Sequence, residues 1–329
     1  MRHAAWTGLL RALGPFLGLL LIYAFFLLFD WIQSGTADRF LLLFGSGNLK
    51  TVAAQTTIVA LAALGMTIVI VSAGIDLSPG SSVALTTVVV ALSLKSAPGW
   101  PSLAILLGIA TGAAVGFSNG TLITGLRIVP FIVTLGMMGI VRGVAKFLAG
   151  NTTVYPPRTW LNGLLAIDRG PDSPVWKLPW GVVVLAVFAL LVHLVLRRST
   201  FGRHVYAIGS NEAAARLCGI QVGVKKVLIY TIAGALTGVA GVLQFSQLTI
   251  GDPTGAVGIE LNVIASVVIG GGSLNGGKGS VGGTLIGAFL MGVLKNGCDI
   301  YGIPNYVQEI FIGLIIIAAV GLDRARDGR

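Results

Sequence analysis

A glycine-rich stretch at residues 272–279 has the spacing that comes nearest to nucleotide chemistry. The phosphate-binding loop of nucleotide hydrolases ends in Lys followed by a Ser or Thr that holds Mg²⁺. Here Gly279 follows Lys278, so the magnesium ligand is missing. Residues 277–282 also match a dinucleotide fingerprint, but that motif needs a soluble strand–turn–helix unit, and apolar runs flank this one. We therefore predict a tight turn, with no ATP hydrolysis and no cofactor bound by this chain.

Side chains suited to acid–base, nucleophilic or metal chemistry are scattered along the chain. His3, His193 and His204 lie far apart, and Cys218 and Cys298 do not form a metal-ligand set. The apolar runs contain no paired carboxylates at helical spacing and no credible Ser-His-Asp combination. The sequence therefore predicts neither a catalytic site nor a metal site.

The composition is that of a membrane protein. The chain has 329 residues, of which 55% are hydrophobic and 10% charged, with a mean hydropathy of +0.90. A soluble domain has roughly a quarter of its residues charged. The net charge of +10 is spread over short loops between apolar runs, which argues for membrane orientation and against a nucleic-acid partner. We predict an all-α polytopic protein with a single transmembrane domain over residues 1–329.

Ten apolar runs are long enough, or sheltered enough, to be membrane spans. With the N-terminus inside, most basic residues fall on the inner side, as the positive-inside rule requires. Both termini are then cytoplasmic, and residues 150–177 form the longest outer loop. The spans 79–94 and 261–273 are short and interrupted by glycine, so a re-entrant hairpin remains an alternative for either. The predicted spans are 9–29, 51–73, 79–94, 102–125, 130–149, 178–196, 227–247, 261–273, 280–297 and 305–322.

Polar residues within these spans are costly and default to functional hypotheses. Asp76 stands at a break between spans, where it or Ser78 is expected to cap the next helix, and an ion pair with Arg142 would satisfy both charges. Hydroxyl and amide groups either line a path for a neutral solute or join helices through hydrogen bonds. Both interpretations stay open at this point. The candidate path residues are Gln55, Thr56, Asp76, Ser78, Thr86, Asn119, Thr134, Arg142, Gln244 and Asn262.

The order of the spans suggests two repeats. A block at 51–149 begins outside, whereas a block at 227–322 begins inside, and the span 178–196 separates them. Opposed blocks of this kind are common in transporters. Small residues at every fourth position allow helices to approach closely in lipid. Two series have this spacing: Gly108, Gly112, Gly116 and Gly120, and Gly279, Gly283 and Gly287.

A polar segment at 197–226 carries six basic residues and one acid, Glu212. Ser210 or Asn211 is placed to cap a short helix, and Gly219 suits its left-handed end. A helix of about two turns needs a packing partner, and Ala213, Leu217 and Ile220 are the expected contact face. Spacing alone does not separate a packed connector from a docking element.

Residues 200–220 resemble the cytoplasmic coupling segment of ribose-type permeases, the membrane subunits of ATP-binding cassette (ABC) importers for monosaccharides within the branched-chain amino acid/sugar permease superfamily. Three further stretches carry the same likeness: 65–70 with 74–78, 130–138 and 264–271. The resemblance runs in order from about residue 50 to residue 322.

The resemblance implies an inverted-repeat permease of the bacterial cytoplasmic (inner) membrane. Its implied partners are a second permease subunit, identical or paralogous, two ABC ATPase subunits that use ATP and Mg²⁺, and a periplasmic or extracellular sugar-binding protein. It also implies that a coupling helix docks on the ATPase. The residues it assigns to ATPase coupling are Gly209, Ser210, Asn211, Glu212, Ala213, Ala214, Arg216, Leu217, Gly219 and Ile220.

Three other functions stay under consideration. A permease for branched-chain amino acids or nucleosides shares the architecture, although the stretch 75–78 resembles the sugar branch more closely. An ion-coupled secondary transporter usually needs titratable groups near the membrane midplane, and few are present. A membrane-embedded enzyme is disfavoured by the missing catalytic set.

Overall fold

The computed structural model describes residues 20, 22–32, 38–167 and 178–327 of the chain. These residues are largely helical, and an isolated antiparallel bridge joins Val154 to Gly251. Most of the predicted first span, 9–29, lies outside the described residues. The helices are α1 Ile22–Ile32, α2 Asp38–Leu43, α3 Ser46–Val71, α4 Pro79–Ser96, α5 Pro101–Leu126, α6 Pro130–Leu148, α7 Trp180–Arg198, α8 Thr200–Ser210, α9 Glu212–Leu217, α10 Val222–Leu248, α11 Ile259–Ile269, α12 Val281–Ile300 and α13 Asn305–Asp327, with a 3₁₀ helix at Trp160–Gly163.

Six of the described helices are long and apolar enough to cross a membrane: α3, α5, α6, α7, α10 and α12. The fold is therefore that of an all-α polytopic membrane protein, as predicted. The predicted full span 261–273 is wrong, because α11 has 11 residues and a helix of that length rises only about 16 Å. It is a half-helix, which the composition does not distinguish from a span because both are apolar.

Helices from the two predicted blocks pack in a symmetrical pattern. The first helix of each block contacts the second and third helices of the other: α10 packs on α4 and α5, and α3 packs on α11 and α12. Within each block the second helix contacts the third and fourth, α4 with α5 and α6, and α11 with α12 and α13. This is the pairing expected of two repeats of opposite direction. The block boundaries themselves stay a prediction.

Two connecting segments turn back into the bundle. Residues 72–78 follow α3, and Ser72, Asp76 and Ser78 within them are buried. Residues 249–258 follow α10 and run along α4, where the Asp252 amide donates to the Thr87 hydroxyl at 3.3 Å. The half-helix α11 and the short helix α4 begin where these segments end. Both helices therefore start inside the protein, which is tolerated because protein shelters the irregular backbone from lipid.

The starts of α4 and α11 lie against each other. A methyl group added to Gly80 would overlap the Glu260 carboxylate and would approach the Ala256 carbonyl oxygen at 2.6 Å. Glu260 thus lies close to the positive ends of two helices, where a negative charge is favourable. Glycine at position 80 is required sterically, because a larger residue would separate the two helix starts.

The close-packing role predicted for the glycines is confirmed. Along α5, a methyl group on Gly112 would overlap the Gly234 carbonyl of α10, and one on Gly116 would overlap the Tyr230 carbonyl. Gly120 faces the Val227 backbone of α10 at 2.7 Å, whereas Gly108 meets the Val242 side chain of α10 and the Val90 side chain of α4, each at 2.9 Å. In the second series, Gly283 and Gly287 of α12 meet the backbone of α11, whereas Gly279 lies in the preceding turn. Backbone contact of this kind supplies packing energy that burial against apolar lipid cannot.

Candidate functional site

Four of the ten candidate path residues line one cavity of about 400 Å³: Gln55, Thr56, Gln244 and Asn262. The cavity lies near the start of α3, the ends of α10 and α12 and the start of α11, which is the predicted outer end of the bundle. The remaining walls are Ile58, Val59, Gln247, Leu248, Ala256, Val257, Ile259, Ala288, Met291, Gly292 and Lys295. Apolar walls with a few amide and hydroxyl groups are typical of small-molecule sites.

Two of these polar groups have unused hydrogen-bonding capacity. The Gln55 Oε1 and Thr56 Oγ1 atoms are buried and have no hydrogen-bond partner among the described residues. Gly292 faces Thr56, and a methyl group at that glycine would overlap the Thr56 hydroxyl. An unpaired buried polar atom costs about 1–3 kcal/mol. Both atoms are shielded from the cavity in this structure, so a solute would reach them only after a local rearrangement.

Gln247 and Lys295 also line the cavity, and sequence reasoning did not select them. Gln247 lies three residues after Gln244, so both side chains project from one face of α10, and that spacing was the available signal. Lys295 is exposed near the end of α12, and the sequence left it without an assigned side of the membrane. An exposed charge in a spanning helix requires water or a polar partner. Near a helix end, a long basic side chain can also reach the aqueous interface.

Asp76, Ser78, Asn119 and Thr134 form a separate cluster around the re-entrant segment 72–78. Asp76 Oδ1 accepts hydrogen bonds from the Ser78 amide at 2.8 Å and the Ser78 hydroxyl at 2.7 Å. Asn119 Nδ2 donates to Ser78 Oγ at 2.9 Å, and Thr134 Oγ1 lies 3.4 Å from the Ile75 carbonyl. The cluster fixes the re-entrant backbone to α5 and α6, and none of the four lines the outer cavity.

The ion pair considered between Asp76 and Arg142 is not formed. Arg142 Nη1 instead donates to the carbonyl oxygens of Pro253 at 3.2 Å and Gly255 at 2.5 Å. Both carbonyls belong to the re-entrant segment 249–258, so the guanidinium satisfies backbone acceptors that an irregular segment leaves open.

Thr86 lies outside the cavity as well. It is fully buried between α4 and α10, where it meets Gly241, and its hydroxyl has no partner among the described residues. The structure therefore places Thr86 at a helix interface.

The coupling segment forms the short helix α9, as the capping signals predict. Asn211, and not Ser210, is the cap: its Oδ1 accepts from the Ala214 amide at 2.9 Å. Gly219 has the left-handed backbone expected after the helix, with φ of 82°. Glu212 pairs with Arg216 at 2.7 Å and with Lys226 at 2.6 Å. Burial acts to raise the pKa of the Glu212 carboxyl, but hydrogen bonds from Lys226 and Arg216 and their charges bring it below the ordinary value.

The apolar face of α9 differs from the predicted one. Ala215 is buried against Ile208 and Val222, and Ile220 packs beside them. Ala213 is exposed, and Leu217 is 91% exposed. Of the predicted contact face, Ile220 therefore packs within the chain, whereas Ala213 and Leu217 do not, and their contact role stays a prediction. The two faces have different roles: one fixes α9 to α8 and α10, and the other is open to solvent.

The glycine-rich residues 272–279 form the predicted tight turn, and this turn contacts the end of α3 and helix α8. The Gly277 amide donates to the Val71 carbonyl at the end of α3 at 2.9 Å. The Tyr206 hydroxyl of α8 donates to the Gly279 carbonyl at 2.8 Å. A methyl group on Gly209, the penultimate residue of α8, would overlap the Val71 carbonyl. The coupling segment is thus packed directly on the first block and on the turn before α12.

The architecture, with broken helices at a polar cavity and a rigid charged element at the other end, is that of a transport protein. Residues 48–320 match the family model described as the permease component of branched-chain amino acid transport systems. The chain belongs to this family of transport permeases. The match spans both predicted blocks and the coupling segment, and it begins at the start of α3.

The permease is similar to several characterised proteins over most of its length. It is 40% identical over 288 residues to the ribose import permease protein RbsC of Escherichia coli K12, covering 86% of this chain and 87% of that protein. It is 37% identical over 322 residues to RbsC of Bacillus subtilis, covering 98% and 95%. It is 34% identical over 283 residues to the fructose import permease protein FrcC of Rhizobium meliloti, covering 85% and 79%. No solved structure is significantly similar to the chain.

Proposed function

We propose that this permease is the membrane subunit of an importer that carries a monosaccharide into the cell with energy from ATP. The observation that carries the proposal is the outer cavity, whose amide and hydroxyl groups suit a neutral, hydroxyl-rich solute. Similarity to proteins named as ribose and fructose import permeases supports the same substrate class. Import then proceeds by alternating access, in which each state opens the path to one side.

A second permease subunit, identical or paralogous, completes the path. Gln247 and Lys295 are exposed at the cavity wall, and a lipid-facing surface would not tolerate them. A facing subunit encloses them in a polar, hydrated space between the two bundles. A sugar-binding protein delivers the solute to the outer loops, among them residues 150–167. The N- and C-termini of the permease are cytoplasmic.

The energy comes from two ATPase subunits that bind ATP and Mg²⁺. Helix α9 docks in a groove of the ATPase through its exposed face, of which Leu217 is the apolar centre. Because α8 packs on the end of α3 and on the turn before α12, displacement of α9 moves parts of both blocks. Closure of the ATPases on ATP therefore reaches the cavity as a rigid-body movement of helices.

The cavity walls favour a sugar over an amino acid. An amino acid carries an ammonium and a carboxylate, and burying either charge requires an opposite charge nearby. Lys295 is the charged residue in the lining of the outer cavity, and that lining contains no carboxylate. The similarity to sugar permeases also favours an ATP-driven importer over an ion-coupled transporter.

Copurification from the native membrane tests the assignment, followed by uptake assays in proteoliposomes with the recovered partners. An ATPase subunit should accompany the permease, and radiolabelled pentose should accumulate with ATP and the binding protein. Accumulation by the isolated permease on an ion gradient alone would overturn the proposal.

Reversal of charge in α9 tests the coupling role. The Glu212→Lys and Arg216→Glu double variant reverses the charge at both positions of the exposed helix. We expect uptake per ATP hydrolysed to fall about tenfold, within the range over which coupled sites influence each other, with insertion unchanged. Arg198→Glu, at the exposed end of α7, is the control for a charge reversal outside α9. Normal uptake per ATP in the double variant would refute the role given to α9.

A further inference from the structure

A second cavity, of about 540 Å³, opens at the inner end of the bundle and is separate from the candidate path. It lies between the end of α5, the start of α6, helix α9 and the start of α10. Three basic residues line it, Arg127, Arg216 and Lys226, together with one acid, Glu212. The charged lining therefore has an excess of positive charge, although the cavity is at the edge of the membrane domain.

The excess is centred on Arg127. Glu212 is shared between Arg216 and Lys226, so the single carboxylate is already engaged. Arg127 takes part in none of the ion pairs found in the described part of the chain. It also has a left-handed backbone, with φ of 54°, at the end of α5. A non-glycine residue in this conformation is uncommon, and here it places a guanidinium-bearing residue at the cavity wall.

Two helix starts add positive potential to the cavity. Pro130 begins α6 and Val222 begins α10, and both residues are in the wall. Pro130 has no amide hydrogen and the Val222 amide donates to the Ile220 carbonyl at 2.8 Å, so the two starts contribute the positive ends of their helix dipoles. Helix starts combined with basic side chains are a common way to bind phosphate groups. The features of the cavity therefore point to an anion.

Exposed apolar residues lie in the cavity wall at Val129 and close to wall residues in the chain at Leu126 and Ile132. Leu126 and Val129 are each 61% exposed, and Ile132 is 59% exposed. These residues belong to the end of α5 and the start of α6, helices that have many exposed apolar side chains along the membrane-spanning length. A ligand that combines an anionic group with hydrocarbon chains fits this boundary better than a soluble anion does.

We propose that this cavity binds the headgroup of an anionic phospholipid from the inner leaflet. The phosphate lies at Arg127, between the starts of α6 and α10, and the acyl chains run along the exposed apolar face of α5 and α6. Basic pockets between spanning helices on the cytoplasmic side are suited to such headgroups. The lipid would join the α5–α6 connection to α9 and so stabilise the orientation of the coupling helix. The inference depends on the predicted inner location of this end, and it does not depend on which solute is carried.

Substitution of Arg127 tests the proposal without disturbing the backbone. Asn tolerates left-handed φ angles, so Arg127→Asn removes the charge and keeps the local fold. Arg127→Lys keeps the charge. Arg198→Asn removes a basic residue from the same side of the protein but outside the cavity, and it is the matched control. Each permease is placed in nanodiscs of phosphatidylglycerol and phosphatidylcholine in equal amounts, and the retained lipid is identified by native mass spectrometry.

We expect selective retention of phosphatidylglycerol by the wild type, Arg127→Lys and Arg198→Asn. Arg127→Asn should reduce it about fivefold, because one basic residue near an anionic surface contributes about 1 kcal/mol. Equal retention of the two lipids by the wild type, or unchanged retention in Arg127→Asn, would overturn the proposal.

Two further measurements distinguish a lipid headgroup from a soluble anion and from an ATPase contact. We expect dioctanoyl phosphatidylglycerol to raise the melting temperature of the detergent-purified permease. Inorganic phosphate should not raise it. Equal protection by inorganic phosphate would assign the cavity to a soluble anion and would overturn the lipid assignment. Loss of ATPase copurification in Arg127→Asn with unchanged lipid retention would assign the cavity to the ATPase interface instead.

Discussion

Arg142 illustrates how one charged side chain stabilises an irregular segment within a membrane bundle. Its guanidinium donates to the carbonyls of Pro253 and Gly255, and the charges of Glu260 and Asp252 act on it. These groups lie in or next to the re-entrant segment 249–258, which also contributes walls of the outer cavity. Arg142 therefore positions the cavity from outside it.

Replacement of Arg142 should loosen this segment. Arg142→Ala removes both hydrogen bonds, and each bond from a charged donor contributes about 1.5–3 kcal/mol. We expect faster amide hydrogen exchange over residues 249–258, a lower melting temperature and slower transport. Arg142→Lys should be intermediate, because an ammonium keeps the charge but is more strongly hydrated than a guanidinium. Lys146→Ala is the control, since Lys146 is exposed one turn further along α6. Unchanged exchange in Arg142→Ala would contradict the positioning role.

At the scale of helices, the close contact between α5 and α10 determines how the two blocks meet. Gly112 and Gly116 face Gly234 and Tyr230, so backbone touches backbone without intervening side chains. Such contact is possible only where small residues recur at every fourth position. The interface lies beside the re-entrant segment 72–78, because Asn119 of α5 bonds to Ser78 and Tyr230 of α10 bonds to the Ile75 carbonyl.

An enlarged side chain at Gly116 should separate these helices. Gly116→Ala places a methyl group on the Tyr230 carbonyl, and we expect a loss of about 1–3 kcal/mol of stability, as for overpacking in a dense core. Gly125→Ala is the matched control on the same helix, because nothing lies within 4 Å of a methyl group there. That change should be neutral or stabilising by up to about 1 kcal/mol, from helix propensity. The stability of both variants is measured by thermal unfolding and by the monodisperse fraction in detergent. Equal stability of Gly116→Ala and Gly125→Ala would contradict the close-packing role.

Many of these helix-scale features were predictable from the sequence, because they depend on the spacing of residues along the chain. The glycine series, the cap at Asn211 and the proline at the start of α6 each express local chemistry. The depth of α11 was not predictable, because an apolar half-helix buried in protein and an apolar span have the same composition. The grouping of polar residues was not predictable either. Gln55 and Gln244 both line the outer cavity, whereas Asn119 lies near the end of α5 and bonds to Ser78. The way helices pack against one another, which decides this grouping, leaves no mark in a single sequence.

At the scale of the whole molecule, different segments of the chain lie at the two ends of the helix bundle. Residues 270–280, α8 and the end of α3 meet at one end, near α9 and the basic cavity. At the other end, residue Val154 pairs with Gly251 beside the outer cavity. Segments that the positive-inside rule assigns to one side thus meet at one end. Which end faces the cytoplasm decides both the direction of transport and the leaflet available to Arg127.

The two native cysteines allow that orientation to be measured. Cys218 is exposed beside α9, whereas Cys298 is buried, so the Cys298→Ser variant leaves one accessible thiol. An impermeant maleimide should leave Cys218 unlabelled in intact cells and should label it in inside-out vesicles. The Thr254→Cys variant, with Cys218 also replaced by Ser, is the reporter for the opposite end, because Thr254 is exposed in segment 249–258. It should be labelled in intact cells and should stay unlabelled in inside-out vesicles. Labelling of Cys218 from outside in cells with intact membranes would invert the bundle. Since α9 would then face away from ATP, both the energy source and the leaflet assigned to the basic cavity would have to be abandoned together.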